Sequence, residues 1–180
     1  MTTDFIEVFQ AKDDALCNDL IAYFHRGDTF DGMTMGGVNK AIKDSTDCLL
    51  LDNALLARFC DELRLATEQY IAMYERTQVG VEWSMYDSPQ IQKYEPGQAY
   101  YGWHCERPTP YGPAGKRFLT FIMYLNDVPD GGTEFLYQKR IVEAKRGAFA
   151  IFPVEWTHTH RGVCSTTTEK YIITGWLSFR

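Results

Sequence analysis

From about Gly80 onward the chain runs in short blocks rich in Tyr, Phe, Ile, Val and Thr. Turn signals separate them: Tyr94-Glu-Pro-Gly97, Tyr111-Gly-Pro-Ala-Gly-Lys116, Val128-Pro-Asp-Gly-Gly132 and Lys145-Arg-Gly147. β-Branched and aromatic side chains suit a pleated, half-buried surface, while Gly and Pro supply the backbone angles that reverse the chain. The blocks predict strands over 89–94, 101–106, 117–126, 134–137, 148–152 and 170–179. Strands this short and closely spaced favour a sandwich, jelly roll or barrel. Before Gly80 the period changes. Leu16, Leu20, Ile21 and Phe24 form one stripe of a helix over 13–25, and Leu55, Leu56, Phe59, Leu63, Ala66, Tyr70 and Met73 mark another over 53–74. The segment 25–48 between them carries Gly and Asp clusters and reads as a loop with one short strand, placed to frame a site. The expected class is mainly β with flanking helices, α+β, the helices packed on the outer face of the strands. Residues 1–180 are expected to form a single domain, with 1–79 a helical support region and 80–180 the core.

A chain of 180 residues, 45% hydrophobic and 23% charged, has enough apolar material for one packed core. Its net charge of −6 opposes the counterion-release attraction behind nonspecific nucleic-acid binding. No apolar run approaches the ~20 residues of a membrane span, and the start MTTDFIEVFQAKDD lacks the basic and apolar parts of a secretory signal. A soluble, cytoplasmic protein is expected, with no membrane and no nucleic-acid partner. Five scattered cysteines without a CxxC pair fit reduced thiols.

Alternation along the strands exposes misplaced polarity. Over 117–126 one parity is wholly apolar (Leu119, Phe121, Met123, Leu125), while the other carries Phe118, Thr120, Ile122, Tyr124 and Asn126. Over 170–179, Tyr171, Ile173, Leu177 and Phe179 oppose Lys170, Ile172, Thr174, Trp176 and Ser178. A solvated sheet face explains such alternation; so does a cavity lined by Thr120, Tyr124, Lys170 and Thr174, in which a lysine and hydroxyls would suit a small carboxylate. The four histidines narrow the search for a metal site. His104 and Glu106 are two apart on a predicted strand and point the same way; His158 or His160 would supply a second imidazole. Two histidines and one carboxylate on one side of an ion leave the opposite positions open, the arrangement of non-haem iron(II) oxygenases.

From about Gln90 to Trp176 the sequence resembles the iron(II)- and 2-oxoglutarate-dependent dioxygenases, in their prolyl 4-hydroxylase-like branch. In order, the matching elements are Tyr94-Glu-Pro-Gly97, His104 with Glu106, 117–127, Gly131-Gly-Thr-Glu-Phe135, 147–152, His160-Arg-Gly162 and 170–176. The resemblance implies a double-stranded β-helix, a jelly-roll or cupin-like core. It implies iron on His104, Glu106 and His160, since the distal histidine precedes the basic residue by about ten positions, as His160 precedes Lys170. His158, on the same parity, is the alternative ligand or a substrate-side residue. Lys170, Tyr94 and Tyr124 are implied to hold the far carboxylate of 2-oxoglutarate, with Thr120 and Thr174 lining the site. Glu106 departs from the usual Asp and reaches about one bond further.

The activity implied is hydroxylation of a C–H bond with iron(II), 2-oxoglutarate and dioxygen, releasing succinate and carbon dioxide, with ascorbate as an accessory. The substrate implied is a peptidyl proline in a peptide or protein. A free amino acid, another small molecule, a nucleic acid, or a noncatalytic binding module on the same fold are the alternatives.

Overall fold

The computed structural model describes residues 3–78 and 80–180; Met1 and Thr2, and Val79 at the expected boundary between support region and core, lie outside the described residues. In chain order the elements are β1 (Glu7–Gln10), α1 (Leu16–Arg26), β2 (Phe30–Asp31), β3 (Met33–Thr34), β4 (Gly37–Val38), β5 (Thr46–Leu49) and α2 (Asn53–Met73). Then follow β6 (Trp83–Ser84), β7 (Gln90–Tyr94), α3 (Gly112–Gly115), β8 (Arg117–Tyr124), β9 (Val128–Phe135), β10 (Arg140–Ala144), β11 (Ala148–Pro153), β12 (His160–Val163) and β13 (Lys170–Phe179). The large sheet has the order β1-β11-β8-β13-β7-β5-β2, with β6 also on β13; a small sheet runs β10-β9-β12. Every pairing is antiparallel. Two antiparallel sheets face to face with helices outside match the expected jelly-roll class.

The alternation read along β8 and β13 sorts two apolar layers. Leu119, Phe121, Met123, Tyr171, Ile173 and Leu177 pack in one cluster with Leu16, Leu20 and Phe24 of α1 and Leu55, Phe59, Leu63 and Tyr70 of α2. Each fully buried large side chain of this kind contributes about 1.5–3 kcal/mol. Ile122, Tyr124 and Ile172 point the other way and join Val128, Phe135, Val142 and Phe152 between the sheets. α2 starts where Asp52 accepts a hydrogen bond from the Leu55 amide at 2.8 Å, satisfying an orphan donor of the first turn. The Tyr94-Glu-Pro-Gly97 signal forms the turn it predicts. The Gln98 amide donates to Glu95 O at 2.8 Å and Gly97 takes φ +90°, a conformation open to glycine at the third turn position.

Three expectations are corrected. The region 1–79 is more than helical support: β1 extends the large sheet beyond β11, and β5 and β2 extend it beyond β7. Its 25–48 segment holds four strands, β2 to β5, rather than one. The strand predicted over 101–106 is absent; that stretch has an irregular backbone, tied at one bridge, His104 with His160. Isolated pairing there leaves the neighbouring residues free to curve around a site.

Gly175 of β13 pairs with Phe121 of β8, and a Cβ on Gly175 would meet the Phe121 ring at 2.7 Å. The ring occupies the space a side chain would need. Gly175→Ala is therefore expected to destabilise the fold by about 1–3 kcal/mol through overpacking, read as a lower denaturant midpoint with an unchanged slope.

Candidate metal centre

His104 and His160 exchange both backbone hydrogen bonds: His104 N–H to His160 O at 3.0 Å and His160 N–H to His104 O at 2.8 Å. Residues directly opposite in an antiparallel pair project side chains to the same face. The two rings accordingly lie together, 4.3 Å between centroids. Glu106, two residues beyond His104, is held by its amide on Val154 O at 3.1 Å and returns to the same side.

Second bonds fix which ring atoms face inward. His104 Nδ1 lies 3.0 Å from Gly102 O, and His160 Nδ1 lies 2.9 Å from His158 O. A carbonyl only accepts, so each Nδ1 carries the proton and each Nε2 presents a lone pair. Glu106 Oε1 stands 3.5 Å from His104 Nε2 and 3.4 Å from His160 Nε2. Its other oxygen, Oε2, accepts from Trp176 Nε1 at 2.8 Å. Arg117 donates to Glu106 O at 2.7 Å and stacks on the Trp176 ring, 3.4 Å from its centroid. The longer glutamate is thus clamped at one oxygen and aimed with the other.

Burial pushes the His160 imidazole down, which keeps it neutral. Burial opposes ionisation of Glu106; a proton or a metal ion shared with His104 and His160 outweighs it and holds the carboxyl well below its usual range. Two neutral imidazole lone pairs and one carboxylate oxygen, all within 4.8 Å of one another, repel unless a cation lies between them. Metal–ligand bonds of about 2.0–2.2 Å at right angles would put such donors about 3 Å apart, close to the spacing found. The donor set fits a divalent first-row metal ion with its remaining positions open to the cavity.

That cavity encloses about 300 Å³, and its walls include Lys170, Tyr94, Tyr124, Thr174 and Trp176 together with the three converging residues. Lys170 is 3% exposed; its ammonium donates to Val163 O at 2.9 Å and lies 5.0 Å from the Tyr94 ring centroid. Among the described residues no carboxylate stands within 4 Å of it. Burial lowers its pKa from 10.5 to about 8, so the charge is retained at neutral pH without an anionic partner. Tyr124 donates to Thr133 Oγ1 at 2.7 Å and Tyr94 to Gln92 Oε1 at 2.7 Å.

Not every expected residue reaches the cavity. Thr120 is on the expected face but fully buried, its hydroxyl donating to Gly175 O at 3.0 Å, and it is not among the lining residues. Thr174 does line the cavity, although its hydroxyl is engaged with Phe121 O at 2.8 Å. His158 stands outside the cluster, its ring bonded to Asp4 O at 2.9 Å and Thr157 Oγ1 at 3.0 Å; its carbonyl, not its imidazole, serves the site by orienting His160. Two residues were missed by sequence reasoning. Tyr100 stacks flat on His104, 3.7 Å between centroids and 8° between planes, and Arg117 braces Glu106. Tyr100 lies outside the alternating strands, whereas Arg117 is a charge on the otherwise apolar parity of 117–125, a signal that was not followed.

Residues 89–178 match the family model described as 2OG-Fe(II) oxygenase superfamily. No functionally curated protein matches the chain in sequence. Among solved structures, the viral collagen prolyl hydroxylase of Paramecium bursaria Chlorella virus-1, in its 2OG complex, is similar with a TM-score of 0.70 at 18% identity, covering 98% of this chain and 97% of that one. A Pseudomonas putida prolyl-4-hydroxylase gives 0.69 at 20% identity, covering 99% and 94%. A Trichoplax adhaerens prolyl hydroxylase in complex with a hypoxia inducible factor oxygen degradation domain peptide gives 0.73 at 13% identity, covering 98% and 84%. At these identities the likeness is one of fold. The family match over half the chain, on the stretch that carries His104, Glu106, His160 and Lys170, establishes that this protein belongs to the 2OG-Fe(II) oxygenase superfamily and is an iron(II)- and 2-oxoglutarate-dependent enzyme.

Proposed function

We propose that the protein hydroxylates a peptidyl proline in a prolyl 4-hydroxylase-like reaction. In this reading His104, Glu106 and His160 hold the iron, while Lys170, Tyr94 and Tyr124 receive the far carboxylate of 2-oxoglutarate. The observation that carries it is the pairing in one cavity of three converging electron-pair donors, suited to a cation, with a buried ammonium that has no carboxylate within 4 Å among the described residues. Support for the proline substrate comes from the three structural neighbours, all named as prolyl hydroxylases, one of them bound to a peptide.

When bound, iron(II) with 2-oxoglutarate and dioxygen supplies the oxidising power for C–H hydroxylation, the cosubstrate leaving as succinate and carbon dioxide. The chain's own residues do the placing. Nδ1 bonds to Gly102 O and His158 O keep both imidazoles in the ligating tautomer. Trp176 holds one Glu106 oxygen so that the other turns inward. Lys170 offsets the cost of burying the second carboxylate of a dianion and fixes its orientation by a charge-assisted bond. Tyr100, flat against His104, shields one face of that ring from water.

His104→Ala, Glu106→Ala and His160→Ala are each expected to abolish succinate release and iron retention. His158→Ala should retain the metal, as read by metal analysis after desalting; loss of iron in His158→Ala alone would move the ligand assignment. Lys170→Ala should raise the KM for 2-oxoglutarate about 10- to 100-fold, the scale of one buried charge-assisted hydrogen bond, with a smaller effect on kcat. The ammonium is present below its pKa of about 8 and lost above it. The 2-oxoglutarate KM of the wild type should therefore rise as pH passes upward through 8, and Lys170→Arg should flatten that rise.

A further inference from the structure

The cavity floor divides into two rows. Across β13, β7 and β5 the register sets Lys170 opposite Tyr94; in the next row Ile172 is opposite Gln92, and Gln92 is opposite Asp47. The cation assigned to the cosubstrate occupies the first row, and a separate polar group begins in the second. There Lys43 donates to Asp47 Oδ2 at 2.6 Å and Ser45 donates to Oδ1 at 2.7 Å, with Lys43 3% and Asp47 1% exposed. Each carboxylate oxygen thereby accepts one bond, while the ammonium keeps unused N–H groups. The Gln92 side chain, 6% exposed, accepts from Tyr94, and its NH2 has no protein partner among the described residues. Lys43, Asp47 and Gln92 all line the cavity that contains the metal-site residues. Lys43 and Asp47 lie outside the stretch that matches the family.

The groups of this wall still without a protein partner among the described residues are the N–H donors of Lys43 and Gln92, and its charge is nil, because Asp47 cancels Lys43. An uncharged oxygen acceptor satisfies such a wall at a modest desolvation cost; a carboxylate would be stripped of far more hydration and meet Asp47 without a net positive partner. We propose that Lys43, Asp47 and Gln92 form a charge-neutral donor wall that selects the primary substrate through an uncharged carbonyl oxygen, so that the substrate residue is amide-linked within a peptide and not a free amino acid. This rests on the reading above in that the substrate enters the same cavity.

The test is equilibrium binding to oxygen-free enzyme loaded with iron(II) and 2-oxoglutarate. Two matched pairs serve as probes: N-acetyl-L-proline methylamide against N-acetyl-L-proline, and the two alanine equivalents. Wild type is expected to bind the methylamide of the proline pair about tenfold or more tightly than the acid. Asp47→Asn, which leaves the lysine charge uncancelled, should erase or reverse that preference. Since a buried unpaired lysine can unfold the variant, the double replacement Lys43→Met with Asp47→Leu provides the second arm. It removes both charges together, and should lose the preference through weaker methylamide binding. No preference in wild type, or one that survives both replacements, overturns the wall. A preference that follows Asp47 with the alanine pair, while neither proline probe binds, keeps the wall and overturns the prolyl reading instead.

Discussion

Two backbone hydrogen bonds between His104 and His160 govern the whole site. They make the two residues a cross-strand pair, which places both imidazoles on one face of an otherwise irregular stretch. With each Nδ1 tied to a carbonyl of its own segment, neither ring can turn its lone pair away. Glu106 then completes the set because it lies one strand repeat further along. Bringing three electron-pair donors together is unfavourable in an apo protein, so part of the folding free energy goes into the site and is recovered when a cation binds.

The rest of the molecule packs around this arrangement. The helices cover one face of the large sheet through the apolar parity of β8 and β13, and the small sheet covers part of the other. What the small sheet leaves uncovered is the cavity, closed by residues from the chain's first half, among them Phe30, Met33 and Lys43. The amino-terminal strands therefore do two jobs: they lengthen the sheet, and they supply one wall of the site. Glutamate in place of the shorter aspartate is accommodated by the clamp of Trp176 and Arg117 on its far oxygen and backbone, which sets its reach.

Much of this was legible in the residues. Alternation in 119–126 and 170–179 separated the helix-facing layer from a face that read as a cavity wall or a solvated surface, and the scarcity of histidine narrowed the metal candidates to His104, Glu106 and either His158 or His160, between which the family resemblance favoured His160. Other parts were hidden for physical reasons. β12 was not anticipated because His160–Val163 holds one clear strand former and follows a tight 3-10 turn. The strand expected over 101–106 fails because only His104 forms a bridge, while the amides of Tyr101 and Gly102 both converge on Ile42 O and that of Glu106 turns to Val154 O. Thr120 had the right parity, but parity says nothing about whether a hydroxyl is already bonded across the sheet, here to Gly175 O. Lys43 and Asp47 lie in a Gly- and Asp-rich loop with no alternation to mark them; only tertiary contact shows that both are buried and paired. Trp176 has the parity of Lys170 and Thr174, but parity does not show that its indole N–H holds Glu106.

The most direct measurement is a diffraction experiment on crystals equilibrated with manganese(II), a redox-inert stand-in for iron(II), with anomalous scattering used to find the ion. One strong peak is expected within bonding distance of His104 Nε2, His160 Nε2 and Glu106 Oε1 together, with Lys170 on the same side of the cavity. A peak coordinated by His158, or no peak among these three atoms at saturating metal, would contradict the account.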